Sequence, residues 1–312
     1  MNSPSHACGR SVVLGASGFI GSRLARALQA GGEAVTGFSR KVPVDGSDTV
    51  FDAYACGDLS DGDALRAIIG PGDAVFHCVG SADPRQGGAD ALVALERHIA
   101  ATLSLFEMCA EAGVASLVFV SSGGTVYGPT APVPTAETAA LAPISPYGAA
   151  KAAIEMFAGS YRHTHGLPVR IARVANPYGP GQAPGRGQGF IATCMAATLE
   201  GEPIRVWGDG TTTRDFIYID DVTDGLIALA RYEGRESVFN LGSGEGRAIG
   251  QVARDIAACC GTDSPVEHLP AAPADVPASV LDIARARREL GWSPRMQWAS
   301  GLEHTRAWLE GR

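Results

Sequence analysis

Tyr147 and Lys151, in the run Tyr147-Gly148-Ala149-Ala150-Lys151, place a phenol and an ammonium four residues apart. The segment from Tyr147 to His165 reads as a helix with small residues early, preceded by Pro146. Positions i and i+4 share a helix face, so both side chains can address one ligand. A free phenol titrates near pH ~10. A nearby cation favours the phenolate and lowers that value, towards the range in which a general base is useful. Upstream, the apolar run Ala115-Ser116-Leu117-Val118-Phe119-Val120 reads as a buried strand entering Ser121-Ser122-Gly123-Gly124-Thr125-Val126-Tyr127-Gly128. Hydroxyls at the carboxyl end of a central parallel strand lie where such sheets bind ligands, and Ser122 is the one expected to bond to the reacting oxygen.

A second signal gives these groups a reaction. Gly15-Ala16-Ser17-Gly18-Phe19-Ile20-Gly21 follows the short apolar run Ser11-Val12-Val13-Leu14, with glycines every third residue. The spacing differs from G-x-G-x-x-G, but the demands are alike: a sharp strand-to-helix turn, close approach to a pyrophosphate, and tight helix packing. The helix N-terminus then offers free N–H groups and a positive dipole end to phosphate. Gly15, Ser17, Gly18, Phe19, Ile20 and Gly21 are therefore the expected dinucleotide-binding residues. The helix from Phe19 to Ala30 carries apolar residues at 20, 24, 27 and 28 and stops at Gly31-Gly32. A nicotinamide held there adds a second positive charge near Tyr147 when oxidised. Together the two signals predict redox chemistry on an alcohol carbon.

The next strand, residues 34–38, should end beside the adenosine ribose, where an acidic residue selects NAD. Ser39-Arg40-Lys41 stands there instead. A hydroxyl followed by two cations suits a 2′-phosphate, so NADP is expected as well as NAD; solvated loop charges are the other reading. Asp58, in Gly57-Asp58-Leu59, either meets the adenine amino group with Leu59 beside it or caps the following helix.

Strand-like and helix-like segments alternate to about residue 173, including a fourth strand over 73–78 and a long helix over 91–112. That alternation predicts an α/β, doubly wound parallel sheet of the Rossmann type with a smaller C-terminal substrate-binding cap. The expected divisions are a disordered tail over 1–9, a dinucleotide-binding domain over 10–175 with a return segment near 215–242, and a cap over mainly 176–312. The helix-like stretch 220–232 is the expected return. Apolar residues at 46% and charged ones at 19% suit an ordinary α/β protein. A net charge of −8 argues against a nucleic-acid surface. No run is apolar enough for a membrane span, and the N-terminus lacks a signal pattern. Seven cysteines without a C-x-x-C pair suggest reduced thiols in the cytoplasm and no metal site, with Cys259 and Cys260 at a helix–core boundary.

Taken with five further blocks, these motifs resemble the extended short-chain dehydrogenase/reductase superfamily, in its nucleotide-sugar epimerase/dehydratase branch. The blocks are Arg173-Val174-Ala175-Asn176-Pro177-Tyr178-Gly179-Pro180-Gly181, Trp207-Gly208-Asp209-Gly210, Arg214-Asp215-Phe216-Ile217-Tyr218-Ile219-Asp220-Asp221-Val222, Asn240-Leu241-Gly242-Ser243-Gly244 and Arg288-Glu289-Leu290-Gly291-Trp292-Ser293-Pro294. The Thr-Val-Tyr-Gly ending at 125–128 is most similar to UDP-glucose 4-epimerases. The resemblance implies that Tyr147 is the base, that Lys151 anchors the nicotinamide ribose, that Asn176 contacts substrate phosphates or sugar, and that Arg214 contacts the nucleotide diphosphate. Read from residues alone, Arg214 could instead pair with Asp215 or Asp220, and Asn176 could be a turn residue.

Departures from the family pattern narrow the implied chemistry. Sugar 4,6-dehydratases carry an Asp-Glu pair where Gly124 and Thr125 stand here, and xylose-forming decarboxylases also carry a Glu in this loop. Many 4-epimerases place the catalytic hydroxyl at the position of Gly123; others place it one residue earlier, as Ser122 does. A late Arg-x-Gly-Asp block reads Ala272-Pro273-Ala274-Asp275, and a usual Asn is replaced by His98. The expected function is inversion of C4 in a UDP-linked hexose through a 4-keto sugar. An NADPH-dependent 4-ketoreductase and a non-catalytic dinucleotide sensor are the alternatives. A homodimer through the helices at 91–112 and 147–165 is the expected assembly.

Overall fold

Val12, Val13 and Leu14 are all fully buried, and burial of consecutive residues marks a strand covered on both faces. That strand lies at the centre of the architecture. The computed structural model describes residues 9–42, 50–80, 89–185, 189–270 and 276–311. The strands are β1 (Ser11–Leu14), β2 (Val35–Ser39), β3 (Ala53–Cys56), β4 (Ala74–His77), β5 (Ser116–Ser122), β6 (Val169–Val174) and β7 (Asn176–Tyr178). They continue with β8 (Ile204–Trp207), β9 (Thr213–Tyr218), β10 (Val238–Leu241), β11 (Gly246–Ala248), β12 (Val266–Leu269) and β13 (Ala278–Ser279). The helices are α1 (Phe19–Ala30), α2 (Gly62–Arg66), α3 (Ala89–Ala112), α4 (Pro146–His165) and α5 (Phe190–Leu199). After them come α6 (Ile219–Ala230), α7 (Ile249–Cys260), α8 (Ala284–Leu290) and α9 (Trp298–Glu310).

Seven parallel strands form the main sheet in the order β10-β6-β5-β4-β1-β2-β3. Alternate side chains leave it on opposite faces. Val13, Phe76, Val118, Val120 and Val174 pack with Leu24 and Leu28 of α1 and with Val222, Leu226 and Leu229 of α6. Leu14, Val75, Leu117, Phe119 and Ile171 pack on the other face with Leu65 of α2, Leu105 and Phe106 of α3, and Ile154 of α4. The sheet is thus doubly wound, as expected. Each fully buried Phe (38, 76, 106, 119, 239) contributes roughly 1.5–3 kcal/mol relative to exposure.

The chain runs outward from β1 to β3 and then crosses back to β4, so the strand order reverses between β1 and β4. In open α/β sheets this reversal leaves a crevice at the carboxyl ends of the strands, where ligands bind. Residue 219 begins α6 directly after β9, and α6 packs against α1, β5 and β6. β10 then joins the main sheet beside β6. The remaining strands form a second sheet, β11-β9-β13 with β7 also on β9, and a parallel pair of β8 and β12. α5, α7 and α9 pack around them, with Cys259 and Cys260 half-buried at the edge of the core. One hydrophobic cluster runs from the α1/α6 face of the main sheet into these elements. The expected tail over 1–9 lies outside the described residues except for Gly9, and the 272–275 block lies wholly outside them.

Candidate active site

The glycine loop begins where β1 ends. Gly15 has φ +83°, and a Cβ on it would lie 2.9 Å from the carbonyl carbon of Cys78, just past β4. A Cβ on Gly21 would lie 2.3 Å from the Gly15 carbonyl oxygen, so α1 packs directly onto the loop. Gly18 is the N-cap of α1 and no side chain caps the helix, which leaves first-turn N–H groups for a ligand. A backbone cradle at the strand-order reversal, closed to any side chain, fits the pyrophosphate of a dinucleotide.

At the adenosine end, β2 finishes with Ser39, whose buried hydroxyl meets Ser17 Oγ at 2.9 Å and the Tyr54 hydroxyl at 2.5 Å. Tyr54, on β3, was not a sequence candidate; its only signal was position on the strand beside β2. Arg40 and Lys41 are exposed. Asp58 accepts hydrogen bonds from Ser60 Oγ at 2.7 Å and from the Ser60 N–H at 3.1 Å, which hold its carboxyl below the usual carboxylate range. It does not cap α2; Asp61 does, accepting from the Ala64 N–H at 3.1 Å. Leu59 beside Asp58 is buried.

α4 starts where Ser145 accepts a hydrogen bond from the Gly148 N–H at 3.1 Å and Pro146 fills the first turn. Tyr147 and Lys151 therefore occupy consecutive turns, as their spacing requires. Lys151 is 3% exposed, donates to the Val120 carbonyl at 2.9 Å, and sits 4.6 Å from the Phe119 ring centroid. Its Nζ lies 5.9 Å from the Tyr147 ring centroid. Burial lowers the Lys151 ammonium to about 8. Burial also pushes the Tyr147 phenol up to about 12, against the lowering expected from its cationic neighbour. In the chain alone desolvation outweighs the ammonium, because a buried phenolate loses its water before it gains a close partner.

Ser122 closes β5, two residues beyond the carbonyl that holds Lys151. Its own carbonyl accepts from the Thr125 and Val126 N–H groups, both at 3.2 Å, which folds the following loop back. A Cβ on Gly148 would lie 2.6 Å from the Thr125 carbonyl oxygen, so this loop presses on the start of α4 beside Tyr147. A Cβ on Gly123 would lie 2.6 Å from Leu281 Cδ1, so no hydroxyl-bearing side chain fits at the position many 4-epimerases use. Gly124 faces the Asn176 amide at 3.9 Å from its would-be Cβ. The Thr125 hydroxyl is buried and has no hydrogen-bond partner among the described residues.

Asn176 lies on β7 and not in a turn; its Nδ2 donates to the Asp215 carbonyl at 2.9 Å. Arg214 Nη1 donates to the Thr213 carbonyl at 2.8 Å. Of its two suggested acidic partners, Asp220 takes Arg23 at 2.5 Å. Asp215 accepts from the Ser243 N–H and hydroxyl at 2.7 and 2.6 Å, and from the Gly244 and Leu281 N–H groups.

One buried cluster escaped the sequence reading. Arg173 donates to both oxygens of Glu155, the shortest contact being 2.6 Å, and its Nη1 donates to the Tyr127 hydroxyl at 2.8 Å. Ser121 Oγ donates to Glu155 at 2.5 Å, and the Tyr127 hydroxyl donates to Asn240 at 2.7 Å. Glu155 stands one helical turn after Lys151 on the same face, which is the signal that could have found it. The cluster ties β5, α4, β6 and β10 together through Ser121, the neighbour of Ser122 on β5.

His98, on α3, stacks edge to face with His77 of β4 at 5.5 Å between centroids. His77 Nε2 meets Thr102 Oγ1 at 3.0 Å, while His98 Nε2 is buried without a partner among the described residues. Burial, and next the Lys151 charge, holds His98 down at about 3. Burial, then His98 and Lys151, keeps His77 well below its ordinary value. Both rings are neutral at neutral pH. The unfolded chain takes up these protons near 6.5 and the folded chain does not, so stability falls as pH drops from 6.5 towards 3. For His98 the loss between 6.5 and about pH 5 is on the order of 2 kcal/mol. Urea unfolding at both pH values should show a smaller acid loss in His98→Asn than in the parent chain; equal losses would contradict this assignment.

Comparison with known proteins places this geometry in a family. The model of the NAD dependent epimerase/dehydratase family matches residues 11–242. The chain is 32% identical to the UDP-glucose 4-epimerase of Mycolicibacterium smegmatis, over 95% of this chain and 97% of that protein. It superposes on the UDP-glucose 4-epimerase of Thermotoga maritima, solved with UDP-glucose, at TM-score 0.87 and 29% identity, covering 97% and 99% of the two chains. The Thermus thermophilus UDP-glucose 4-epimerase, solved with NAD, gives TM-score 0.86 and 29% identity, with the same coverage.

Proposed function

Because this chain belongs to the NAD dependent epimerase/dehydratase family, we propose that it inverts C4 of a UDP-linked hexose through a transient 4-keto sugar. Tyr147 takes the proton of the C4 hydroxyl, and Ser122 bonds to the same oxygen. A bound dinucleotide supplies the hydride acceptor and, in the return step, the hydride donor. Lys151 would hold the ribose of that dinucleotide, and its charge together with that of an oxidised nicotinamide would bring the Tyr147 phenol down from the value that burial alone imposes. Asn176 and Arg214 grip the nucleotide end while the sugar turns, a use of remote contacts for positioning. The C-terminal elements after residue 176, other than α6 and β10, form the cap over the sugar.

The observation carrying this reading is the turn at 123–128 that follows β5, which has Gly124 and Thr125 beside Asn176 and the start of α4, and no carboxylate among its six residues. Elimination of water needs an acid and a base there; reversible oxidation at one carbon needs only the phenol and a hydroxyl. Proton NMR of the protein with UDP-, dTDP- and GDP-hexoses, no dinucleotide added, tests it. A C4 epimer supports the reading, and silence across the panel defeats it. Ser39-Arg40-Lys41 favours a second reading, a 4-ketoreductase in which Tyr147 returns the proton and NADPH is consumed.

The protein acts as a homodimer in the cytoplasm. Met156 and Phe157 on α4, 73% and 43% exposed, and Leu92 and Val93 on α3 leave apolar surface on two helices that pack together. Size-exclusion chromatography with light scattering should show a dimer that Met156→Glu with Phe157→Glu converts to monomer; a monomeric parent chain would contradict the assembly. Six described cysteines are free thiols, in keeping with a reducing compartment, and no described helix is long and apolar enough to cross a membrane.

A further inference from the structure

We infer that the adenosine end of the dinucleotide site is built for a 2′-phosphate, so that this chain binds NADP(H) in preference to NAD(H). The inference rests on the dinucleotide site of the proposed function and departs from the solved neighbour that holds NAD. A carboxylate at the end of β2 accepts a hydrogen bond from a ribose 2′-hydroxyl and repels a phosphate there. Here that position is Ser39, and the nearby carboxylate, Asp58, is engaged by both groups of Ser60.

Three hydroxyls from three segments converge instead. Ser39 Oγ lies 2.9 Å from Ser17 Oγ in the glycine loop and 2.5 Å from the Tyr54 hydroxyl on β3. Ser39 Oγ and the Tyr54 hydroxyl also reach the Lys41 carbonyl, at 2.7 and 3.0 Å, which fixes the turn that carries Arg40 and Lys41. A hydroxyl can rotate its proton toward an incoming anion, and the adjacent guanidinium offers the fork that matches a phosphate. Arg40 is exposed and directly follows Ser39, the last residue of β2, so the chain carries its charge at the adenosine end of the crevice.

The test identifies the dinucleotide that full-length protein releases on denaturation, by mass spectrometry, and measures binding of NADP+ and NAD+ by titration calorimetry. NADP+ should bind at least about tenfold more tightly than NAD+, the worth of one charge-assisted contact. Arg40→Ala should weaken NADP+ by about tenfold or more while changing NAD+ little. Ser39→Asp should reverse the preference. NAD+ bound as tightly as NADP+, or a preference untouched by Arg40→Ala, overturns the inference and leaves the proposed function standing. Failure to bind or release either dinucleotide overturns both.

Discussion

Tyr147→Phe is expected to lower kcat by about 10²- to 10⁴-fold, the contribution of a positioned general acid–base group. The change removes one oxygen from a half-buried ring at the start of α4. No hydrogen bond to that oxygen holds the fold together among the described residues, so the melting temperature should stay within a degree or two of the parent. KM for the nucleotide sugar should change little, because its grip is assigned to Asn176 and Arg214. Initial rates together with a thermal melt separate the outcomes. A lost melting transition would make Tyr147 structural, and retained activity would remove it from the chemistry.

The second large effect falls on stability. Arg173 and Glu155 are 5% and 6% exposed and are joined at 2.6 Å. Truncating one partner of such a pair strands the other charge in a low-dielectric interior, at a cost of about 3–5 kcal/mol. Arg173→Met should therefore unfold at much lower urea than the parent. Arg173→Met with Glu155→Leu should recover a large part of that loss, because two apolar side chains leave no charge to solvate. Denaturation of the two singles and the double measures the coupling. A double variant as unstable as the sum of the singles would contradict a buried ion pair. The same single variant should also slow catalysis, since Glu155 stands one turn from Lys151 on α4 and bonds to Ser121, the neighbour of Ser122.

Much of this molecule was legible in its sequence because the informative features are local. The glycine loop, the apolar runs of β1, β4 and β5, and the helix of Tyr147 and Lys151 each announce themselves within about 20 residues by period and spacing. The doubly wound parallel sheet followed from strand–helix alternation, since parallel strands require crossovers. What the sequence hid depends on pairs far apart in the chain. Tyr54 reaches Ser39 only because β3 lies beside β2, and Gly123 is barred from carrying a hydroxyl only because Leu281 fills the space. Asp58 could be read either as an adenine contact or as a cap, and Asp61, three residues later, takes the capping role through its own geometry. The phenol of Tyr147 was only partly legible for a different reason: spacing shows the nearby cation but not the burial that opposes it in the chain alone.

Inversion through a 4-keto sugar requires a hydride that leaves C4 and returns to it. Incubating the protein with UDP-glucose carrying deuterium at C4, in ordinary water, and following the sugar by NMR tests that directly. The predicted result is the C4 epimer with its deuterium retained and no net oxidation or reduction of dinucleotide. An epimer that has lost its deuterium to solvent protons would contradict hydride return, and no epimer here, with a separately supplied 4-keto sugar nucleotide reduced at the expense of added NADPH, would contradict the epimerase itself.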